Sequence, residues 1–201
     1  MSKVLYIKAN AKSEGESRTF RIADRFLEEY KRMNPLDEIS ILDLSQEKIH
    51  FLSVDDIATV YGPKTEESKK HPVLQYTYQF AEADKYIVAA PMWNLSIPAI
   101  LKAYIDYITV TGLTFKYTEK GAVGLLMGKK AIYIVTRGGG YSSEPESNYE
   151  MGERYLRTAF GFLGITDFTS IAAEKLDVIG EDVEAILNKA IHEAVIAAKT
   201  F

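Results

Sequence analysis

Residues Ile87–Asp106 read IVAAPMWNLSIPAILKAYID, and this stretch decides the fold. With Lys85-Tyr86 in front, its first part is a nearly continuous apolar run of strand formers that stops at Pro91. Proline has no N–H to give to a sheet ladder, so the strand ends there. Pro98 restarts the chain at a position that suits the first turn of a helix. The following AILKAYIDYITV places apolar residues at helical spacing. A strand apolar along its whole length is buried on both faces, which marks an internal strand of a parallel sheet. Between strand and helix, where a short Gly-rich turn would do, stand Met92, Trp93, Asn94 and Leu95. Open α/β sheets take their ligands at the carboxyl ends of the strands, and this is such an end.

The same alternation extends in both directions. Upstream come a strand over 3–9, a helix from Ser17 stopped by Asn34-Pro35, a strand over 37–44 and a helix at least from His71. Residues 45–64 are less regular, with a helix-start signal at Ser53–Asp56 and a break at Gly62-Pro63. Downstream, 112–126 read as a loop or small hairpin excursion, 129–137 as a strand, 149–163 as a helix, 166–174 as a strand and 182–199 as a terminal helix. There is no internal repeat, low-complexity segment or linker, so residues 1–201 form one expected domain. Five strands alternating with helices imply a parallel sheet covered on both faces. They favour the flavodoxin-like order 2-1-3-4-5, although the pattern alone does not fix that order.

Composition narrows the partners. A formal net charge of -4, from 24 basic and 28 acidic residues, gives no general attraction to nucleic acid or anionic membrane. No apolar run approaches a membrane span, and MSKVLYIKAN reads as a first strand rather than a signal peptide. The absence of cysteine excludes disulfides, thiolate metal sites and cysteine nucleophiles, and suits a cytoplasmic protein. His50, His71 and His192 lack zinc-ligand spacing, and neither a nucleophile elbow nor a P-loop motif is present. No metal site is expected.

In the 2-1-3-4-5 order, strands one, three and four are neighbours, and their loops share one rim. Those loops read NAKSEGESRT, PMWNLSIP and TRGGGYSSE. The first ends in Ser17-Arg18-Thr19 at a helix start, where free N–H groups and the helix dipole favour an anion. Ser17 equally suits a plain helix cap. Without G-x-G-x-x-G a dinucleotide reading is weak, while a mononucleotide phosphate remains open. In the second loop, Trp93 reads either as core packing or as a ligand wall, and Asn94 as a turn residue or an amide donor. In the third, Thr136-Arg137-Gly138-Gly139-Gly140 is either a flexible turn or a run of backbone donors that a flat ligand can approach. Together the loops match a flavin mononucleotide: phosphate, apolar ring face and polar ring edge. Such a site needs no dedicated catalytic acid or base, because the flavin carries the chemistry.

The opening SKVLYIKAN, the block ADKYIVAAPMWNLSIPAILKAYID, GLTFKYTEKGAVGLLMGKKA, the TRGG turn and GFLGITD span nearly the whole chain. By these the sequence resembles the FMN-dependent NADH:quinone oxidoreductases known as bacterial azoreductases. The resemblance implies a flavodoxin-like fold and a homodimer with FMN near the subunit boundary. It implies that Ser17, Arg18 and Thr19 hold the phosphate, that Met92, Trp93, Asn94 and Leu95 line the flavin, and that Thr136, Arg137, Gly138 and Gly139 hold its polar edge. Asn10 stands where some relatives have a phosphate-contacting serine, and Ser17-Arg18-Thr19 replaces the commoner Ser-x-Ser. Tyr117 and Phe162 match aromatics that border the substrate pocket, which the segment 45–70 helps to shape.

The implied reaction is a ping-pong transfer of hydride from NADH or NADPH through bound FMN to quinones or aromatic azo compounds. The azo bonds end as amines, and Arg137 with the glycine N–H groups stabilises charge on the reduced ring. A flavodoxin-like electron carrier is the alternative, disfavoured by the modest acidity. A cofactor-free module of the same fold is a further one. The chain carries no separate fingerprint that chooses between NADH and NADPH.

Overall fold

In the computed structural model, which describes residues 1–12 and 15–201, the chain alternates strands and helices. The elements are β1 (Lys3–Lys8), α1 (Arg18–Met33), β2 (Glu38–Asp43), α2 (Val54–Tyr61), α3 (Pro72–Glu82), β3 (Lys85–Ala89) and α4 (Ala99–Ile108). They continue with β4 (Phe115–Thr118), β5 (Gly121–Gly124), β6 (Lys130–Thr136), α5 (Gly152–Phe162), β7 (Asp167–Ala173) and α6 (Val183–Ala198). The main sheet has the order β2-β1-β3-β6-β7, and every pairing in it is parallel. Counting only its five strands, this is the expected 2-1-3-4-5 order. The excursion over 112–126 contains a separate antiparallel hairpin, β4-β5.

The period-2 geometry of a strand splits each apolar run between two cores. Leu5, Ile7, Tyr86, Val88, Tyr133 and Val135 face one side with Tyr104, Leu156 and Phe160, under α3, α4 and α5. Val4, Tyr6, Ile87, Ile132 and Ile134 face the other with Phe20, Phe26, Leu187 and Ala194, under α1 and α6. The internal strands β1, β3 and β6 are therefore apolar residue after residue, whereas the edge strand β2 is mostly exposed or half-buried. Burial of these runs is the main favourable term holding the sheet between its helices.

In the less regular segment, Ser53 caps α2 in a full capping box. Its hydroxyl accepts from the Asp56 N–H at 3.1 Å, and the Asp56 carboxylate accepts from the Ser53 N–H at 2.8 Å. Pro72 occupies the first turn of α3. A short 3-10 turn over 146–149 precedes α5. No helix among the described residues is long and apolar enough to cross a membrane.

Candidate functional site

Three loops leave the carboxyl ends of β1, β3 and β6 side by side, and hydrogen bonds join them. The Thr19 and Thr136 hydroxyls meet at 2.6 Å in a buried contact between the first loop and the third. The Met92 N–H donates to the Thr136 carbonyl at 2.9 Å, tying the second loop to the third. Residues 13 and 14 of the first loop lie outside the described residues.

Ser17 is a helix cap and more. Its Oγ accepts from the Phe20 N–H at 3.1 Å and from the Asn10 amide at 2.8 Å. Both lone pairs are used, so its own hydrogen is left to donate. The N–H groups of Arg18 and Thr19 have no partner among the described residues, as expected for a first helical turn. Asn10 is buried, and its carbonyl oxygen accepts from the Lys12 N–H at 3.1 Å. The Arg18 guanidinium lines the cavity described below and is anchored at one side. It spans to the loop after β7, donating to the Leu176 carbonyl at 2.8 Å and to Asp177 Oδ1 at 2.7 Å.

The second loop is a tight reversal. The Trp93 N–H donates to the Ser96 carbonyl at 2.8 Å, and the Ser96 N–H returns to the Trp93 carbonyl at 3.0 Å. Both residues between them have positive φ, 47° at Asn94 and 70° at Leu95. That is the signature of a type I′ turn, in which the second position favours glycine. A leucine there stores backbone strain of about 1–2 kcal/mol. The Leu95 carbonyl is held by the Met151 N–H at 2.9 Å, from the start of α5. The turn projects Trp93 into partial exposure (43%) while Met92 stays half-buried. Trp93 is thus no core residue, and Asn94 takes the turn role.

In the third loop, the Gly138 and Gly139 carbonyls accept from the Asp177 and Lys175 N–H groups at 3.0 and 2.9 Å. The N–H groups of Gly138, Gly139 and Gly140 have no partner among the described residues. The Arg137 side chain is 4% exposed and faces three carboxylates: Glu174 at 2.7 Å, Glu153 at 3.1 Å and Glu150 at 3.3 Å. Its charge is therefore shared among these carboxylates and is neither solvated nor free to meet a ligand alone. Its Nε is buried with no hydrogen-bond partner among the described residues. Burial opposes ionisation of Glu174, but bonds from Ser142, Arg137 and the Tyr141 N–H overcome it and leave the pKa below the usual carboxylate range. Glu153 is held low against burial by Arg157, Ser170 and Arg137.

Asn10, Arg18, Thr19, Met92, Trp93, Thr136, Arg137 and Gly138 converge on one cavity of about 140 Å³. Lys12, Pro91, Leu176 and Asp177, which the sequence reading passed over, line it too. The last two belong to a fourth loop, after β7. The rule that ligands gather at strand carboxyl ends covers that loop as well and was the signal to follow. On the other side of Trp93 lies a larger, mainly apolar cavity of about 640 Å³. Ile97, Pro98, Ile100, Lys102 and Tyr155 line it, and it shares Asn10 and Trp93 with the first. Tyr117 and Phe162 lie in neither cavity. Both rings pack on Phe115, at 5.4 and 4.8 Å between centroids, and both are open to solvent. No cluster of metal-ligating side chains occurs among the described residues.

Residues 2–196 match a family described by its flavodoxin-like fold. The FMN-dependent NADH:quinone oxidoreductase 2 of Clostridium acetobutylicum is 68% identical over 201 residues, covering all of both chains. The chain belongs to this oxidoreductase family. A further member, from Caldicellulosiruptor saccharolyticus, is 60% identical over the same full length. Among solved structures, an azoreductase from Bacillus anthracis superposes with a TM-score of 0.91 at 36% identity, with all of both chains covered. An FMN-dependent NADH-azoreductase from the same species, in complex with FMN, gives 0.90 at 30%, covering 100% of this chain and 99% of that one.

Proposed function

We propose that this protein is an FMN-dependent NADH:quinone oxidoreductase that also reduces aromatic azo compounds, with donor and acceptor occupying the site in turn. The observation that carries the reading is the convergence of Arg18 and Thr19 at the start of α1, Met92 and half-exposed Trp93, and Thr136 to Gly138 on one cavity. At one end the Ser17 hydroxyl and the Arg18 and Thr19 N–H groups suit a phosphate. At the other the N–H groups of Gly138 and Gly139 suit the electron-rich edge of a flavin ring. Met92, Trp93 and the strained turn at Asn94-Leu95 supply the wall between. FMN, when bound, supplies the hydride chemistry, and no side chain need act as acid or base.

The apolar cavity beyond Trp93 suits a flat aromatic acceptor, and a shared position for NAD(P)H and acceptor requires one to leave before the other binds. Cleavage of an azo bond to two amines takes four electrons, so two NAD(P)H are consumed per bond. Exposed Phe51, Tyr61, Tyr117 and Phe162 support a homodimer in which Tyr117 and Phe162 border the acceptor's pocket. The reading places the enzyme in the cytoplasm, with its nucleotide donor.

The test is an absorbance spectrum of purified protein with FMN added, then anaerobic titration with NADH and a quinone. Bleaching by NADH and recovery with quinone is the expected result. Protein that takes up no FMN refutes the reading. Steady NADH consumption with a quinone and no added reductase separates an enzyme from an electron carrier.

A further inference from the structure

The Gly138–Gly140 run presents three N–H groups and has no side chain to hold it in place. What holds it is a carboxylate on the next strand's exit. Glu174 Oε1 accepts from Arg137 Nη1 at 2.7 Å and from the Tyr141 N–H at 3.2 Å, and Oε2 accepts from the Ser142 hydroxyl at 2.7 Å. One carboxylate thereby grips the residue before the glycines and the two residues after them. The Gly138 and Gly139 carbonyls are bonded toward the same β7 exit, by Asp177 and Lys175. The peptide units are thus fixed with their carbonyls engaged and their N–H groups unengaged.

Arg137 is itself immobilised. Its Nη2 lies between Glu150 and Glu153, and Glu150 caps the first turn of α5 through the Glu153 N–H at 2.9 Å. Glu153 in turn accepts from Arg157 Nη2 and from the Ser170 hydroxyl, each at 2.7 Å. The grip therefore rests on β6, β7 and α5 together.

On the reading that this protein binds FMN, we propose that Glu174 is the positioning residue for the flavin's polar edge. Held by Arg137, it keeps the glycine N–H groups presented to the ring and acts by geometry, not by its charge. Arg137's single positive charge faces three carboxylates, so the loop N–H groups are the donors left for an electron-rich ring. A loop held this way recognises riboflavin and FMN alike, since the phosphate end at Ser17–Thr19 is a separate contact. It also binds the reduced ring more strongly than the oxidised one, because the reduced ring carries more charge on its acceptor atoms.

The experiment compares wild type, Glu174→Ala, Glu174→Gln and Ser142→Ala. The readouts are FMN and riboflavin titrations by flavin fluorescence, the midpoint potential of bound FMN and apo thermal unfolding. Glu174→Ala is expected to weaken oxidised FMN and riboflavin by the same factor, about tenfold. Reduced FMN loses about tenfold more, a fall of about 30 mV in midpoint potential for a two-electron couple. Glu174→Gln keeps one acceptor oxygen for Arg137 and the Tyr141 N–H, while its NH2 can donate to the Ser142 hydroxyl with the roles reversed, and it is expected to restore both affinity and potential to near wild type. Ser142 is exposed, so Ser142→Ala leaves the fold intact and is expected to give a smaller loss, about threefold, in the same direction.

Three results overturn the proposal: unchanged flavin binding and potential in Glu174→Ala, a Gln variant as impaired as the Ala variant, or a Ser142→Ala that changes nothing should the Ala variant at 174 fail to fold. If wild type binds no flavin, the functional reading falls with the inference. If wild type binds and the variants bind equally, the inference alone falls.

Discussion

Replacing Gly124 by alanine tests how the β4-β5 hairpin is seated. A Cβ built on Gly124 comes within 2.2 Å of the Gly164 nitrogen and the Leu163 carbonyl carbon, and 2.5 Å of the Leu163 oxygen. All three are backbone atoms, so no side-chain rotation relieves the clash. Ordinary contact needs a separation greater by about 1 Å. The hairpin must lift off the end of α5, and the bond from the Leu126 N–H to the Leu163 carbonyl, 2.9 Å long, stretches with it. Overpacking against unyielding neighbours costs about 1–3 kcal/mol, and the lost hydrogen bond about 1 kcal/mol more. The stiffer unfolded chain of an alanine variant returns about 0.5 kcal/mol. The expected net loss is about 1.5–3.5 kcal/mol, seen as a fall of about 1 M in the urea midpoint and of several degrees in Tm. Gly161→Ala is the control. It lies in α5 with no atom near its would-be Cβ, and is expected to stabilise by about 0.5–1 kcal/mol. A Gly124→Ala protein within about 0.5 kcal/mol of wild type refutes the close seating of the hairpin on Leu163 and Gly164.

Trp93 is the sole tryptophan and lines the cleft, so added FMN is expected to quench the protein's tryptophan emission, and saturation without quenching contradicts that placement. Leu95→Pro forces φ to about -65° where the turn requires 70°, and is expected to abolish FMN retention with the far-ultraviolet circular dichroism of the fold preserved. The Ser53 N–H and hydroxyl, with His50, lower the Asp56 pKa to about 2. A depressed folded-state pKa gives stability that is present above the unfolded value and is lost as pH falls through the folded one. Stability measured by urea unfolding is therefore expected to drop between about pH 4 and pH 2, with Asp56→Asn flattening that slope. A slope unchanged in the variant assigns it to other carboxylates.

The sheet was legible because burial on both faces leaves a trace that no surface strand leaves. Tyr86–Ala90 and Ala131–Val135 are apolar without alternation, and both proved internal. The start of α2 was legible at Ser53–Asp56 for a local reason, since a capping box is written within four residues. Destinations set by distant partners were not legible. Arg137 finds carboxylates 13, 16 and 37 residues away, and nothing near it in the chain announces them. Arg18 reaches Asp177 across 159 positions, a partner that its own neighbourhood does not announce. The reversal at Asn94-Leu95 escaped notice as a hairpin turn because its second residue is leucine, where glycine would have signalled positive φ. The grouping of Tyr117 and Phe162 came from family resemblance alone, and the ring that joins them within this chain is Phe115.

The clasp from Arg18 to Leu176 and Asp177 makes the β7–α6 loop a working part of the rim. A Cβ on Gly138 would also strike Asp177 Oδ2 at 2.6 Å, so the same aspartate touches two of the three motif loops. A mutagenesis library drawn around the recognisable motifs alone would omit 175–181. Random variants scored by the yellow colour of their lysates should return hits in that segment, with Asp177 foremost among them.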